Sequence, residues 1–298
     1  MTVPLTAPAT IGLIGLGQMG LPMALHLRAA GFAVRGTDAL AAARDAFAQA
    51  GGSVAATAQA AAAGAAALIT MLPNGQIVRD ALLGTAQAAG ALAAGALVID
   101  MSSSAPTGTQ ALGRDLAGRG IALIDAPVSG GVRRARDGTL AIMAGGNGPD
   151  IERARPVLQA MGKTVFLTGA LGSGHAMKAL NNYVSAAGLV AAAEALQVAA
   201  AFGLAPETII DVLNASTGRN NATDVKMKQF VISRSFASGF SLALMAKDLR
   251  TAADLAAHLG IEADGIAASA ALWEAALAQL GGGADHTEIA RYLARPRR

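Results

Sequence analysis

The sequence predicts an α/β first half built on a mostly parallel sheet, followed by an all-helical second half. Three observations carry this reading. Short apolar runs at 11–16, 33–37, 68–71, 97–100, 121–125, 140–144 and 165–167 alternate with alanine-rich stretches of helical length. Gly31, Gly51 and Gly120 stand where such helices would stop. Beyond about Gly172 the strand signals cease and helix follows helix, with breaks at "GLAPE" and "HLGIE". The expected division is a sheet domain over 1–168 and a helical domain over 169–298, with no fixed-period repeat in either.

Composition narrows the classes of function. Of 298 residues 53% are hydrophobic but only 3% aromatic, so the core has to be close-packed Ala, Leu, Val, Ile and Met. The stretch 60–72, taken as the most apolar, is too short for a membrane span of about 20 residues. Glu194 interrupts the apolar segment after Lys178. The start, "MTVPLTAPAT", lacks the basic-then-apolar order of a signal peptide. A soluble, cytoplasmic protein without a membrane partner is expected. The net charge of +3, with one dense basic cluster at the terminal "RPRR", predicts a solvated tail and no nucleic-acid partner. The chain has no cysteine, which excludes disulfides and thiolate chemistry, and its 4 histidines show no metal spacing, so no metal site is expected.

The first strand runs directly into "GLGQMG", formed by Gly15, Leu16, Gly17, Gln18, Met19 and Gly20. After a strand and before a helix expected over 19–30, this is a dinucleotide turn: Gly15 allows the tight bend, Gly17 lets backbone approach a pyrophosphate, and Gly20 lets helix pack on strand. Asp38, at the end of the second strand, suits both hydroxyls of an adenosine ribose and would repel a 2′-phosphate, which favours NAD over NADP. The same residue could cap a helix beginning at Ala39, and both roles can hold; Arg35 and Arg44 stand nearby as possible phosphate partners. Two later strand ends point to the same crevice: "MLPNG", with Met71, Leu72 and Pro73, and "DMSSSAP", with its serine hydroxyls.

"APVSGG" exposes the backbone N–H groups of consecutive glycines, which suits a carboxylate. In "GSGHAMKALNN" an ammonium group, Lys178, sits in an otherwise apolar helix, which is costly without a partner or a task. Asn181 and Asn182 follow at i+3 and i+4 on the same face, and spacing alone does not choose between them. His175 is expected to make a helix-start hydrogen bond rather than to relay protons.

Taken in order, the glycine turn, "MLP", "DMSSSAP", "DAPVSGG…GTL", "GSGHAMKALNN" and "GFSLALMAKDL" resemble the β-hydroxyacid dehydrogenases, the group containing 3-hydroxyisobutyrate dehydrogenase, across nearly the whole chain. The resemblance implies a Rossmann-type domain followed by an all-α domain, with chemistry in the cleft between them. It implies Lys178 as the catalytic lysine, Asn182 as its substrate-binding neighbour, and Ser129, Gly130 and Gly131 as the carboxylate holders. It places Leu72, Pro73, Ser103 and Lys247 against NAD with Phe240 close by, and it implies a homodimer or homotetramer. Lys178 would take the hydroxyl proton as hydride leaves the substrate carbon; burial and the positive nicotinamide should depress its pKa from the ordinary value of about 10.4.

Two departures bear on the substrate. Arg134 stands where the family pattern has a small residue, and "STGRNNATDVKMKQF" lacks the aromatic residue that many relatives place after its glycine; Arg134, Arg219, Asn220 and Asn221 are candidates for a polar substrate tail. The expected activity is NAD-dependent hydride transfer with a small, 3-hydroxyisobutyrate-like 3-hydroxy acid. Alternatives are reduction of a tartronate- or succinate-type semialdehyde, oxidation of a threonate-like sugar acid, or a non-catalytic NAD-binding scaffold. An imine reductase would lack the lysine, and a full 6-phosphogluconate dehydrogenase would have a longer helical half.

Overall fold

The computed structural model of the chain describes residues 3–294, so the "RPRR" cluster lies outside the described residues. One sheet runs through the first half: β1 (Thr10–Ile14), β2 (Ala33–Thr37), β3 (Ser53–Val54), β4 (Ala67–Thr70), β5 (Leu97–Asp100), β6 (Ala122–Asp125), β7 (Val128–Ser129), β8 (Leu140–Gly145) and β9 (Gly162–Gly169). The order is β3-β2-β1-β4-β5-β6-β8-β7, with β9 also paired to β8. Every pairing from β3 to β6 is parallel; β8 runs antiparallel to β6 and β7 and parallel to β9. The strand order reverses beside β1, and the carboxyl ends of β1, β4, β5 and β6 share one edge, where open α/β sheets bind their ligands.

Side-chain alternation explains why these strands read as unbroken apolar runs. Ile11, Leu13, Ile69 and Ile99 pack into one cluster, and Ile14, Leu68, Val98 and Leu123 into another. Successive residues point to opposite faces, and both faces are buried. Burying each such Leu or Ile contributes roughly 1.5–3 kcal/mol. The helices between the strands are α1 (Gly20–Ala29), α2 (Ala41–Gln49), α3 (Ala58–Ala62), α4 (Gly75–Leu83), α5 (Pro106–Ala117), α6 (Gly131–Arg136) and α7 (Gly148–Met161). The seven expected strands are present. β3 and β7 escaped notice because two residues leave no pattern, and β9 is longer than expected because most of its residues are not buried.

The second half holds α8 (Ser173–Ala201), α9 (Pro206–Ala215), a π-helical segment Ala222–Ile232, α10 (Leu242–His258), α11 (Asp264–Leu280) and α12 (Ile289–Leu293). "GLAPE" and "HLGIE" fall at the breaks after α8 and α10. The core here is Ala186, Leu189 and Ala193 of α8, Leu242, Met245 and Leu249 of α10, and Trp273 of α11. The chain divides into two compact units after Lys178, and the first turn of α8 is tied to the end of β6.

The apolar segment of α8 differs from expectation. Glu194 does not break it, and residues 60–72 are split between α3, a turn and β4. Among the described residues α8 is the helix long and apolar enough, by length and composition, to cross a membrane, a test that core helices also pass.

Candidate active site

At the carboxyl end of β1, Gly15 has φ +102°, and a Cβ there would lie 2.2 Å from the Met71 carbonyl oxygen; at Gly20 a Cβ would lie 1.8 Å from the Gly15 oxygen. Strand, turn and helix therefore approach more closely than any side chain permits. Gly17 is different: it is exposed, and a Cβ there would meet nothing within 4 Å. Leu16 is buried, Gln18 is exposed, and Met19 stands just before α1, whose start no side chain caps. An uncapped helix start beside an open glycine backbone is the geometry that accepts a pyrophosphate, so these residues fit a dinucleotide.

Asp38 braces this turn. Its Oδ2 accepts the Leu16 N–H at 2.7 Å and its Oδ1 accepts the Leu40 N–H at 2.8 Å. It does not cap a helix at Ala39: α2 begins at Ala41 after Leu40. Arg44 donates to the carbonyl oxygens of Asp38 and Ala39, and Arg35 donates to that of Ala63, so both arginines are engaged locally.

The "MLP" and serine loops are joined. The Leu72 N–H donates to Ser102 Oγ at 2.9 Å, while Ser104 Oγ donates to Asp100 Oδ2 and Thr70 Oγ1 to Asp100 Oδ1. Ser102 and Ser104 are buried and Ser103 is partly exposed; Met71 and Leu72 are half-buried, and Pro73 is exposed.

Asp125, the last residue of β6, is fully buried. Its Oδ1 accepts the Gly172 N–H and its Oδ2 the His175 N–H, both at 2.7 Å. Burial pushes its carboxyl up from the ordinary value, opposed by the charge of His175 and by these amide donors. His175 makes the expected helix-start bond, and its buried ring is also engaged, with Nδ1 2.8 Å from Thr109 Oγ1 and Nε2 3.2 Å from the Ser102 oxygen. Lys178 follows on the same helix, half-buried.

Ser129 ends β7, and Gly130 and Gly131, with φ +128° and +65°, open α6 without a side-chain cap. A Cβ on Gly131 would meet nothing within 4 Å, whereas the Arg134 side chain lies across Gly130.

In the second unit Asn182 is buried and donates from Nδ2 to Asp248 Oδ2 at 2.5 Å; Lys247 Nζ lies 3.0 Å from Asp248 Oδ1. Phe240 packs edge-on against His286, with ring centroids 5.6 Å apart. Arg219 pairs with Asp224, and Asn220 Oδ1 accepts the N–H groups of Ala222 and Thr223, so both serve their own segment; Asn221 is exposed. Asp100, Asp125 and Asp248 were missed in the sequence. The available signal was an acid closing each apolar strand, in "LVID" and "ALID", and one following Lys247.

Comparison with known proteins shows the family. Residues 10–169 match the NAD-binding domain of 6-phosphogluconate dehydrogenase, and residues 172–293 match a family described as NAD-binding of NADP-dependent 3-hydroxyisobutyrate dehydrogenase. The chain is 38% identical over 239 residues to 2-(hydroxymethyl)glutarate dehydrogenase of Eubacterium barkeri, covering 80% of this chain and 79% of that one. It is 36% identical to 3-sulfolactaldehyde reductase of Escherichia coli over 281 residues, 94% of each. The solved structure of Mycobacterium tuberculosis 3-hydroxyisobutyrate dehydrogenase with L-serine superposes with a TM-score of 0.89 at 35% identity, covering 96% of this chain and 99% of that one. The chain belongs to the β-hydroxyacid dehydrogenase family, NAD-binding oxidoreductases that act on CH–OH groups.

Proposed function

We propose that the protein oxidises a small 3-hydroxy acid, 3-hydroxyisobutyrate-like, and reduces the corresponding semialdehyde, with Lys178 as general acid and base. The observation that carries this is a coincidence on one sheet edge. An open dinucleotide turn sits at the carboxyl end of β1, and the helix bearing half-buried Lys178 is anchored at the carboxyl end of β6. NAD, when bound, supplies the acceptor or donor of hydride. The glycine turn, Met71, Leu72, Pro73 and Ser103 hold it, and Phe240 and Lys247 are assigned to it on the family resemblance. Ser129 Oγ and the N–H groups of Gly130 and Gly131 hold the substrate carboxylate. Lys178 Nζ takes the hydroxyl proton in oxidation and returns it to the carbonyl oxygen in reduction. Asn182, one turn along α8, orients the substrate.

Asp38 supports NAD over NADP: a carboxylate at the ribose edge repels a 2′-phosphate, and Arg35 and Arg44 are already bonded to backbone oxygens. The test is a panel of hydroxy acids with each cofactor, followed by NADH or NADPH absorbance. The expected result is turnover of a 3-hydroxy acid with higher kcat/KM for NAD; binding of NAD with no turnover of any hydroxy acid or semialdehyde would leave the scaffold reading instead.

One observation favours a second substrate class. Arg134 is exposed, lies across Gly130, and has no ion-pair partner among the described residues. A substrate with an anionic or polar tail beyond its carboxylate would meet it. The panel therefore includes dicarboxylate analogues, and Arg134→Ala should raise KM for these and not for 3-hydroxyisobutyrate. We also infer a soluble, cytoplasmic homodimer or homotetramer. Val184 and Val198 of α8, 67% and 72% exposed, support burial of this helix against another copy; light scattering of the purified protein tests it.

A further inference from the structure

We propose that Asp125 is a positioning residue that sets where Lys178 stands, so that the end of strand β6 and the first turn of α8 act as one rigid mount for the proton-transferring amine. This rests on the reading of Lys178 given above. A helix start leaves its first N–H groups without partners, and these are ordinarily met by a side chain from the residue preceding the helix. Here the acceptor comes from a strand end 47 and 50 residues earlier: Asp125 takes the N–H of Gly172 with one oxygen and that of His175 with the other. Two bonds from one carboxylate, at two points along the turn, fix both the height of the helix and its rotation about its axis. Lys178 is three positions, just under one turn, past His175, so any rotation there swings its side chain directly.

The surroundings leave no slack. A Cβ on Gly174 would lie 2.3 Å from the Met143 oxygen and 2.9 Å from Asp125 Oδ2, and one on Gly145 would lie 2.7 Å from Asp125 Oδ1. The His175 ring extends the mount sideways to Thr109 Oγ1 and the Ser102 oxygen, and Ser102 Oγ in turn accepts the Leu72 N–H. The same Asp125 lies four residues before Ser129. One buried carboxylate thus joins the helix of the amine to the strand that leads to the carboxylate-binding turn. General acid–base catalysis needs the donor within hydrogen-bond reach of the proton it moves, and misplacement by about 1 Å can cost about 10²-fold.

The test is a double-mutant cycle on the full chain with NAD and whichever hydroxy acid turns over, using Asp125→Asn, Lys178→Ala and the pair. Asparagine keeps the shape but offers an NH₂ group to one of the two amide donors, so one tether is lost. The expected outcome is a kcat about 10²-fold lower for Asp125→Asn with KM and NAD affinity nearly unchanged, and no further loss when the same change is made in the Lys178→Ala protein. Equal losses in both backgrounds, or no loss in either, would overturn the proposal. If Asp125→Asn does not fold, Asp125→Glu goes through the same cycle, since it retains the charge and lengthens the tether by one methylene. The outcomes separate the two readings: normal turnover of Lys178→Ala alone defeats the function of Lys178, whereas a Lys178-dependent enzyme indifferent to Asp125 defeats only the positioning role.

Discussion

Asn182 on α8 donates to Asp248 on α10 at 2.5 Å, and the opposite oxygen of Asp248 lies 3.0 Å from Lys247 Nζ. A residue assigned to the substrate and one assigned to the cofactor therefore share a single buried carboxylate. Asp248→Ala leaves the Asn182 amide without its acceptor, which should cost about 1–3 kcal/mol of stability. We expect a lower Tm together with raised KM values for both hydroxy acid and NAD, measured by thermal melts and initial rates.

Removing the amine itself should separate chemistry from binding. Lys178→Ala is expected to lower kcat by roughly 10²–10⁴-fold while NAD still binds, as read by steady-state kinetics and by titration calorimetry with the cofactor. Near-wild-type turnover would contradict the assignment.

The glycine turn predicts two opposite phenotypes. Gly20→Ala drives a Cβ to within 1.8 Å of the Gly15 oxygen, so it should destabilise the fold by about 1–3 kcal/mol or more. Gly17→Val points into open space, so Tm should hold. NAD affinity should nevertheless fall at least about tenfold, or 1.4 kcal/mol, because the side chain occupies the approach to the pyrophosphate.

A pH dependence follows from the second unit. Ser238 Oγ donates to Asp285, and His286 Nδ1 lies 2.9 Å from Ser238 Oγ and 3.1 Å from the Phe240 oxygen. Burial holds His286 below its ordinary pKa of 6.5, against the opposing hydrogen bond of Asp285. Asp285 also lies below its ordinary 3.8; burial raises it, but the combined bonds from His286, Thr287 and Ser238 outweigh that effect. Both folded pKa values are depressed, so the unfolded chain binds protons first as pH falls. The stabilisation is complete above the unfolded values and is lost on acidification. Thermal melts should show Tm falling as pH drops below about 6.5, and His286→Gln should flatten that slope between pH about 7 and about 5.

The strand runs and the glycine turn were legible because each depends on neighbours in the chain. A strand buried on both faces must be apolar at every position, Gly15 takes its positive φ in the turn itself, and Gly20 packs directly on the Gly15 oxygen. The motif order also named Lys178 and Asn182. The aspartates beneath them were not legible. "LVID" and "ALID" look alike, yet Asp100 takes the hydroxyls of Thr70 and Ser104 while Asp125 reaches amides 47 and 50 residues away. Asp38 could be read as a helix cap or a ribose ligand, and the fold gave it a third role, holding the Leu16 amide.

What the sequence by itself determined is the alternation of strand and helix, the dinucleotide turn and the amine-bearing helix, since these follow from local periodicity and from backbone space that only glycine leaves. Only the tertiary structure decided which buried carboxylate answers which helix start. A hydrogen bond between strand end and helix depends on where the chain returns after tens of residues, and no local pattern encodes that meeting.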